Sequence, residues 1–236
     1  MALPMLDDDD FRRVLCVVAH PDDTEYGLSA VVHRWVRRGA EVAYLLLTAG
    51  EAGMQRPPAE AGPLRADEQR KACDVVGVKE LDILDHPDGT VVYSLELRRD
   101  VARRIRQFRP DAVVTNSWAA QVGWGLNHAD HRVAGLVTAD ACRDADNRWV
   151  FPELADEGLE KWHASKLLVY GDEPTHGVAL DPEDVDAGVA SLACHEQYLA
   201  DLPGHPAPEE FISGMLAEQG KAIDADHGYL FAVHEL

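Results

Sequence analysis

The chain is expected to fold as an α/β domain: a Rossmann-like, doubly wound and mostly parallel sheet with helices on both faces. Two observations predict it. Apolar runs without alternation, Val14-Leu15-Cys16-Val17-Val18 and Val42 to Leu47 among them, read as strands buried on both faces, as in a parallel sheet. Between such runs lie stretches of helical period, and strands alternating with helices imply right-handed crossovers. At 236 residues, 46% of them hydrophobic, one domain over residues 1–236 is the default. Its chemical motifs fall within 13–143, leaving 144–236 as a variable C-terminal third.

Residues 13–18 are the first strand. Leu28, Val31, Val32, Trp35 and Val36 then recur at helical spacing over 26–38, and Gly39 stops them. Val42 to Leu47 is the second strand, ending in Thr48-Ala49-Gly50-Glu51-Ala52-Gly53. Pro57, Pro58 and Pro63 mark 54–63 as a loop, and a helix from about Leu64 closes at Gly77. Glu80 to Leu84 is a third strand, followed by a turn at Asp85-His86-Pro87-Asp88-Gly89-Thr90. Ser94 begins a helix to Phe108, whose Arg98, Arg99, Arg103, Arg104 and Arg106 are expected to meet surface carboxylates. Asp111 to Thr115 is the fourth strand, Asn116 to Leu126 a loop, and a helix then runs through Arg143. Lys166 to Tyr170 is the fifth strand, 171–182 a loop, and Val185 to Leu199 one helix containing His195. The tail reads as one helix and a short apolar end. The expected strand order is 3-2-1-4-5.

Composition excludes several functions. With 22 basic against 42 acidic residues the formal net charge is −20, which argues against nucleic acid or an anionic membrane as partner. Cys16, Cys73, Cys142 and Cys194 form no Cys-x-x-Cys pair and suit reduced, mostly buried thiols. The stretch from Met1 to Asp10 ends in four aspartates and lacks the basic and apolar regions of a signal peptide. No apolar run approaches the roughly 18 residues of a membrane span. A cytoplasmic location without membrane insertion is expected. Nothing in the pattern decides for or against a homo-oligomer.

Two polar clusters stand out. Ala19-His20-Pro21-Asp22-Asp23-Thr24-Glu25 follows strand one, and Asn127-His128-Ala129-Asp130-His131 follows strand four. Strands one and four flank the switch point of a doubly wound sheet, where such folds place ligands. Imidazoles and a carboxylate together suit a catalytic metal with an open position for water. His128 and His131 share a helix face. Asp22 and Asp23 are adjacent, so their side chains diverge: one as ligand and the other as base beside the metal is the economical arrangement. Either aspartate taken alone also suits a helix N-cap.

These motifs resemble those of the LmbE-like (PIG-L) zinc-dependent N-deacetylases. The resemblance extends through Thr48 to Gly53, Arg65 with Glu68, and Pro87-Asp88-Gly89, and loosens beyond Asp144. It implies that His20, Asp23 and His131 bind Zn2+, with another divalent metal such as Fe2+ as an alternative. It further implies Asp22 as general base, and His128 as the group that steadies the oxyanion or protonates the leaving amine. Asp130 would orient or charge-balance His128, and Arg65 and Asp88 would hold substrate hydroxyls. The implied substrate is an N-acetylglucosamine-type amine within a glycoside, thiol-cofactor precursor or antibiotic. His195-Glu196-Gln197 departs from the family's usual C-terminal pattern, in which a histidine is followed after two residues by glutamine.

Other readings compete. An amidase of thiol-cofactor S-conjugates is one, and a non-catalytic sugar-binding module another. His20-x-Asp22 with a distant His131 also fits the facial triad of non-haem iron oxygenases, whose strand-rich barrel would lack the strand–helix alternation. Trp118 and Trp124 suit either sugar stacking or core filling.

Overall fold

In the computed structural model, which describes residues 2–236, the apolar runs pair as strands and the periodic stretches coil between them. Met1, the start of the acidic N-terminal stretch, lies outside the described residues. The first half alternates β1 (Arg13–Val18), α1 (Leu28–Arg37), β2 (Glu41–Leu46), α2 (Pro58–Val76), β3 (Glu80–Ile83), α3 (Leu95–Phe108) and β4 (Ala112–Asn116). A small hairpin of β5 (Gln121–Val122) and β6 (Gly125–Leu126) precedes α4 (Ala129–Ala145) and the short α5 (Pro152–Asp156). The remainder comprises β7 (Lys166–Tyr170), β8 (His176–Ala179), α6 (Pro182–Ala193), α7 (Glu196–Ala200), α8 (Pro208–Gly220) and β9 (Gly228–Glu235).

The main sheet runs β3-β2-β1-β4-β7-β9-β8. Its first five strands are parallel and take the expected 3-2-1-4-5 order, with β7 as the fifth. Alternate residues of β1 enter two cores. Val14, Cys16 and Val18 pack on one face among residues of α1, α6 and α8, while Leu15 and Val17 pack on the other among residues of α3 and α4. Burial on both faces explains why β1 shows no polar alternation. A doubly wound parallel sheet is also not the barrel that the oxygenase reading required.

The expected elements fail mainly in the C-terminal third. β9 pairs antiparallel with both β7 and β8, so the expected apolar end is a full strand and part of the expected 171–182 loop is another. β8 is short and contains Gly177; pairing with β9 makes it a strand where its own composition would not. The expected helix over Val185 to Leu199 is two helices, broken at His195, whose φ of −83° and ψ of 47° are not helical. A capping box between Asp181 and Asp184 starts α6 three residues earlier than its apolar pattern. In the N-terminal half, α2 starts at Pro58 and carries Pro63 inside it. That ring sits close behind the first turn, where few intrahelical bonds are lost.

Two arginines of α3 pair with surface carboxylates as expected, Arg103 with Glu157 and Arg104 with Glu80, while Arg98 pairs with Asp144, which is buried. Arg106 differs. It is buried and donates to the carbonyls of Asp144, Ala145, Asn147 and Val150, closing the C-terminus of α4. Cys16, Cys73 and Cys142 are buried free thiols and Cys194 a half-buried one. Among the described residues no helix is long and apolar enough to cross a membrane.

Candidate metal centre and its cavity

The turn after β1 is shaped by its own backbone bonds. Asp23 Oδ2 accepts the N–H groups of Ala19 at 2.9 Å and His20 at 3.0 Å. Its other oxygen, Oδ1, faces His131 Nε2 at 3.0 Å. Asp22 sits at φ 84°, a left-handed conformation uncommon for a residue with a side chain. It is held there by α2: Gln69 Oε1 accepts its N–H at 2.9 Å, and Arg65 donates to its Oδ1 at 2.6 Å. Adjacent aspartates thus point to different partners.

The second cluster arrives on the N-terminus of α4. His128 is the N-cap residue, and Asp130 and His131 stand in the first turn. The helix approaches β4 closely at Gly135, where a Cβ would lie 2.4 Å from the Asn116 carbonyl oxygen. That approach carries His131 to Asp23 across the switch point. The His20, His128 and His131 rings form a near-equilateral triangle, with centroids 5.2, 5.2 and 5.3 Å apart. One ligand atom from each lies within 4.8 Å of the others, and His20 with Asp88 and Asp130 forms a second such group.

The two groups share His20 and differ in how free their donors are. Asp130 Oδ2 accepts from Gly89 N–H at 2.7 Å and Oδ1 from Val91 N–H at 3.2 Å; Oδ2 also lies 3.3 Å from His20 Nε2. Asp88 Oδ2 accepts from Ala52 N–H at 2.7 Å, and its Oδ1 lies 3.1 Å from the same His20 nitrogen. Both carboxylates therefore orient the far edge of His20, while His20 Nδ1 faces Asp23 at 3.7 Å. Asp130, expected to orient or charge-balance His128, turns its carboxylate toward His20. It meets His128 through its backbone N–H, 3.4 Å from Nδ1.

Electrostatics separates the two aspartates. Burial raises Asp22 above the usual carboxylate range, against the pull of Arg65. Burial also works against a charge on Asp23, yet His131 and His20 hold its carboxyl well below that range. His20 is the converse: burial would lower it, but Asp130, Asp23 and Asp88 push it up to about 12. Three carboxylates within 3.7 Å of one imidazole make a pocket of negative charge that favours a cation. His128 is lowered by burial and by its neighbours His20 and His131.

Arg65 and Asp88, expected to hold substrate, lie on the cavity, but the Asp88 carboxylate and the Arg65 Nη1 and Nη2 groups are engaged within the protein, and Arg65 Nε is buried without a partner. Arg65 is 2% exposed. Besides Asp22 it donates to the carbonyls of Pro21 at 2.6 Å and Gly50 at 2.9 Å, and it stacks on Tyr198 at 4.0 Å. Trp118 and Trp124 divide. Trp118 packs half-buried against the core, whereas Trp124, 67% exposed, stands at the cavity lip beside Gly171.

Sequence reasoning missed the support behind Asp22. Gln69 Nε2 donates to Glu25 Oε1 at 3.1 Å, and Glu25 Oε2 accepts from Thr24 Oγ1 at 2.9 Å and lies 3.6 Å from His195 Nε2. Glu25 and His195 are fully buried. Burial alone would lower His195, and Glu25 raises it. Glu68 accepts the N–H groups of Gln197 and Tyr198 and so seats the start of α7. The available signal was the spacing Arg65, Glu68, Gln69, which puts three polar side chains on one buried helix face.

This is a doubly wound α/β protein with a candidate metal centre at its switch point. The chain belongs to the PIG-L family: the model described as GlcNAc-PI de-N-acetylase matches residues 15–142. A diacetylchitobiose deacetylase of Thermococcus kodakarensis is 33% identical over 82% of this chain and 64% of its own length. The chain thus spans somewhat less than two thirds of that relative. Among solved structures, the N,N'-diacetylchitobiose deacetylase of Pyrococcus horikoshii superposes with TM-score 0.85 at 22% identity, covering 97% of this chain and 85% of that one. The 4-carboxy-2-hydroxymuconate hydratase GalB of Pseudomonas putida superposes with TM-score 0.75 at 17% identity, covering 95% and 96%. The architecture is therefore shared by deacetylases and by an enzyme of different chemistry, and function must be argued from the site.

Proposed function

We propose that the chain is a zinc-dependent hydrolase that removes the acetyl group from an N-acetylglucosamine-type amine. The observation that carries the mechanism is the contrast between Asp22 and Asp23: Asp23 faces His131 across the two clusters, whereas Asp22 is held apart by Arg65 and Gln69, which suits a ligand beside a base. Relatives named as deacetylases of such sugars supply the substrate class.

His20, Asp23 and His131 would hold the ion, because Asp23 Oδ1 and His131 Nε2 already face each other and Asp88 and Asp130 orient His20 from behind. A carboxylate behind a ligating imidazole fixes its tautomer and direction. Nitrogen and carboxylate donors suit zinc, with Fe2+ also compatible. When bound, the ion supplies Lewis-acid chemistry at the acetamide.

Asp22 takes the proton of the attacking water. Burial raises its proton affinity, the direction a general base needs, and Arg65 keeps the carboxylate aimed. His128, its own affinity lowered, stands across from His20 to steady the oxyanion or deliver a proton to the leaving amine. The test is acetate release from N-acetylated amino sugars with and without chelator. Activity abolished by chelator and restored by zinc is expected; activity indifferent to chelator would overturn the reading.

A further inference from the structure

The candidate metal centre lines a cavity of about 1160 Å3. That is above the roughly 300–1,000 Å3 that holds a drug-sized ligand, so one acetamido sugar leaves much of it unfilled. Much of the apolar wall comes from the C-terminal third, joined by Tyr26 from the segment after β1. Tyr26 and Phe211 meet edge to face at 5.6 Å, and Met215, Tyr229 and Leu230 continue the surface. The Tyr26 hydroxyl is paired with His205 Nε2 at 3.0 Å, leaving its ring as the available face. Gly27, at φ 106°, permits this wall: a Cβ there would lie 2.3 Å from Met215 Cε. The rim adds Asp172 and Glu173 from the loop between β7 and β8. Among the described lining residues outside the histidine cluster, Arg65 is the one cation; its Nη1 and Nη2 groups donate to Gly50, Pro21 and Asp22, and its unpartnered Nε is buried out of reach of solvent.

We infer that the cavity selects uncharged N-acetylated amino sugars bearing an aromatic or alkyl aglycone and rejects anionic ones. Resting on the deacetylase reading, this names its substrate class. Aromatic and thioether side chains gain from covering an apolar aglycone. An aglycone carboxylate or phosphate would lose water, meet no free cation and face Asp172 and Glu173, and burying a charge unpaired beside like charges is costly.

The test compares the methyl, phenyl and 4-carboxyphenyl glycosides of N-acetylglucosamine on the zinc-loaded full chain. Acetate release is measured, and binding of the same glycosides to the Asp22→Asn chain is measured by calorimetry. The phenyl glycoside should exceed the 4-carboxyphenyl one in kcat/KM by about tenfold or more, with the difference in KM. Phe211→Ala should shrink the phenyl-to-methyl ratio, and Asp172→Asn with Glu173→Gln the phenyl-to-carboxyphenyl ratio. Equal or better turnover of the carboxylate, or ratios unmoved by these substitutions, would overturn the inference. If no glycoside releases acetate but the phenyl one still binds tighter, the deacetylase reading fails and the cavity's selectivity stands. If binding does not discriminate either, both fall.

Discussion

The parallel half of the molecule and its C-terminal third contribute to the cavity in different ways. On the proposed reading, the parallel half supplies chemistry from two backbone-determined places, the turn after β1 and the first turn of α4. There, direction is set by strand ends and N–H groups: Asp23 is aimed by Ala19 and His20, and Asp130 by Gly89 and Val91. The C-terminal third supplies surface, through Phe211 and Met215 of α8, Leu230 of β9, and the Asp172–Glu173 rim. Substitution in the first region should change whether the reaction occurs. In the second it should change which substrate is taken.

The largest expected effect is at the centre. Asp22→Asn keeps an oxygen for Arg65 but removes the proposed proton acceptor, so kcat should fall by about 10²–10⁴-fold with metal content unchanged. Steady-state kinetics beside elemental analysis reads both, and an unchanged kcat would remove Asp22 from its role. His131→Ala should instead lose the ion, because it deletes the partner of Asp23 Oδ1. Full metal occupancy in that variant would exclude His131 as a ligand and favour His20 with Asp88 and Asp130.

The same division explains what was legible in the sequence. Strands buried on both faces leave continuous apolar runs, so β1, β2, β4 and β7 and their order could be read, and the order alone brought His20 and His131 together. β8 and β9 could not, because their pairing joins segments separated by α6, α7 and α8, and no local period records such a partner. Residues expected at the site did gather around the cavity, but hydrogen-bond direction is a three-dimensional fact. Asp130 turning to His20, and Arg65 spending its Nη1 and Nη2 donors on Asp22 and two carbonyls, are absent from spacing. Gln69 was not singled out and Glu25, though part of the first cluster, carried no role, because a buried amide and carboxylate joined to each other resemble surface residues until their burial is known.

A third substitution probes how the two halves tolerate added volume. Gly135→Ala places a methyl group 2.4 Å from the Asn116 carbonyl oxygen and 3.1 Å from the Trp118 nitrogen, both backbone atoms. Overpacking of this kind costs about 1–3 kcal/mol. Relief requires α4 to lift from β4, which moves His128 and His131 away from the turn after β1. A lower urea midpoint together with weaker metal binding is expected. Lost stability with metal affinity intact would show that the helix is not what sets the distance between the clusters.

The matching change in α8 should have the smallest effect and the opposite sign. Gly214 is exposed within the helix, and a Cβ there would meet nothing within 4 Å. Gly214→Ala therefore adds helix propensity without a clash, a gain of about 0.5–1 kcal/mol read as a higher urea midpoint. Its neighbour Met215 lines the cavity and lies close to Gly27, so a stiffer α8 reports on the wall as well. Acetate release from the methyl glycoside depends on the centre and should stay within about twofold, because the substitution touches neither the turn after β1 nor α4. A large loss of turnover would show that the C-terminal third shapes the centre itself. The separation of chemistry from selectivity would then have to move toward His195 and Glu25, where the two regions meet behind Asp22.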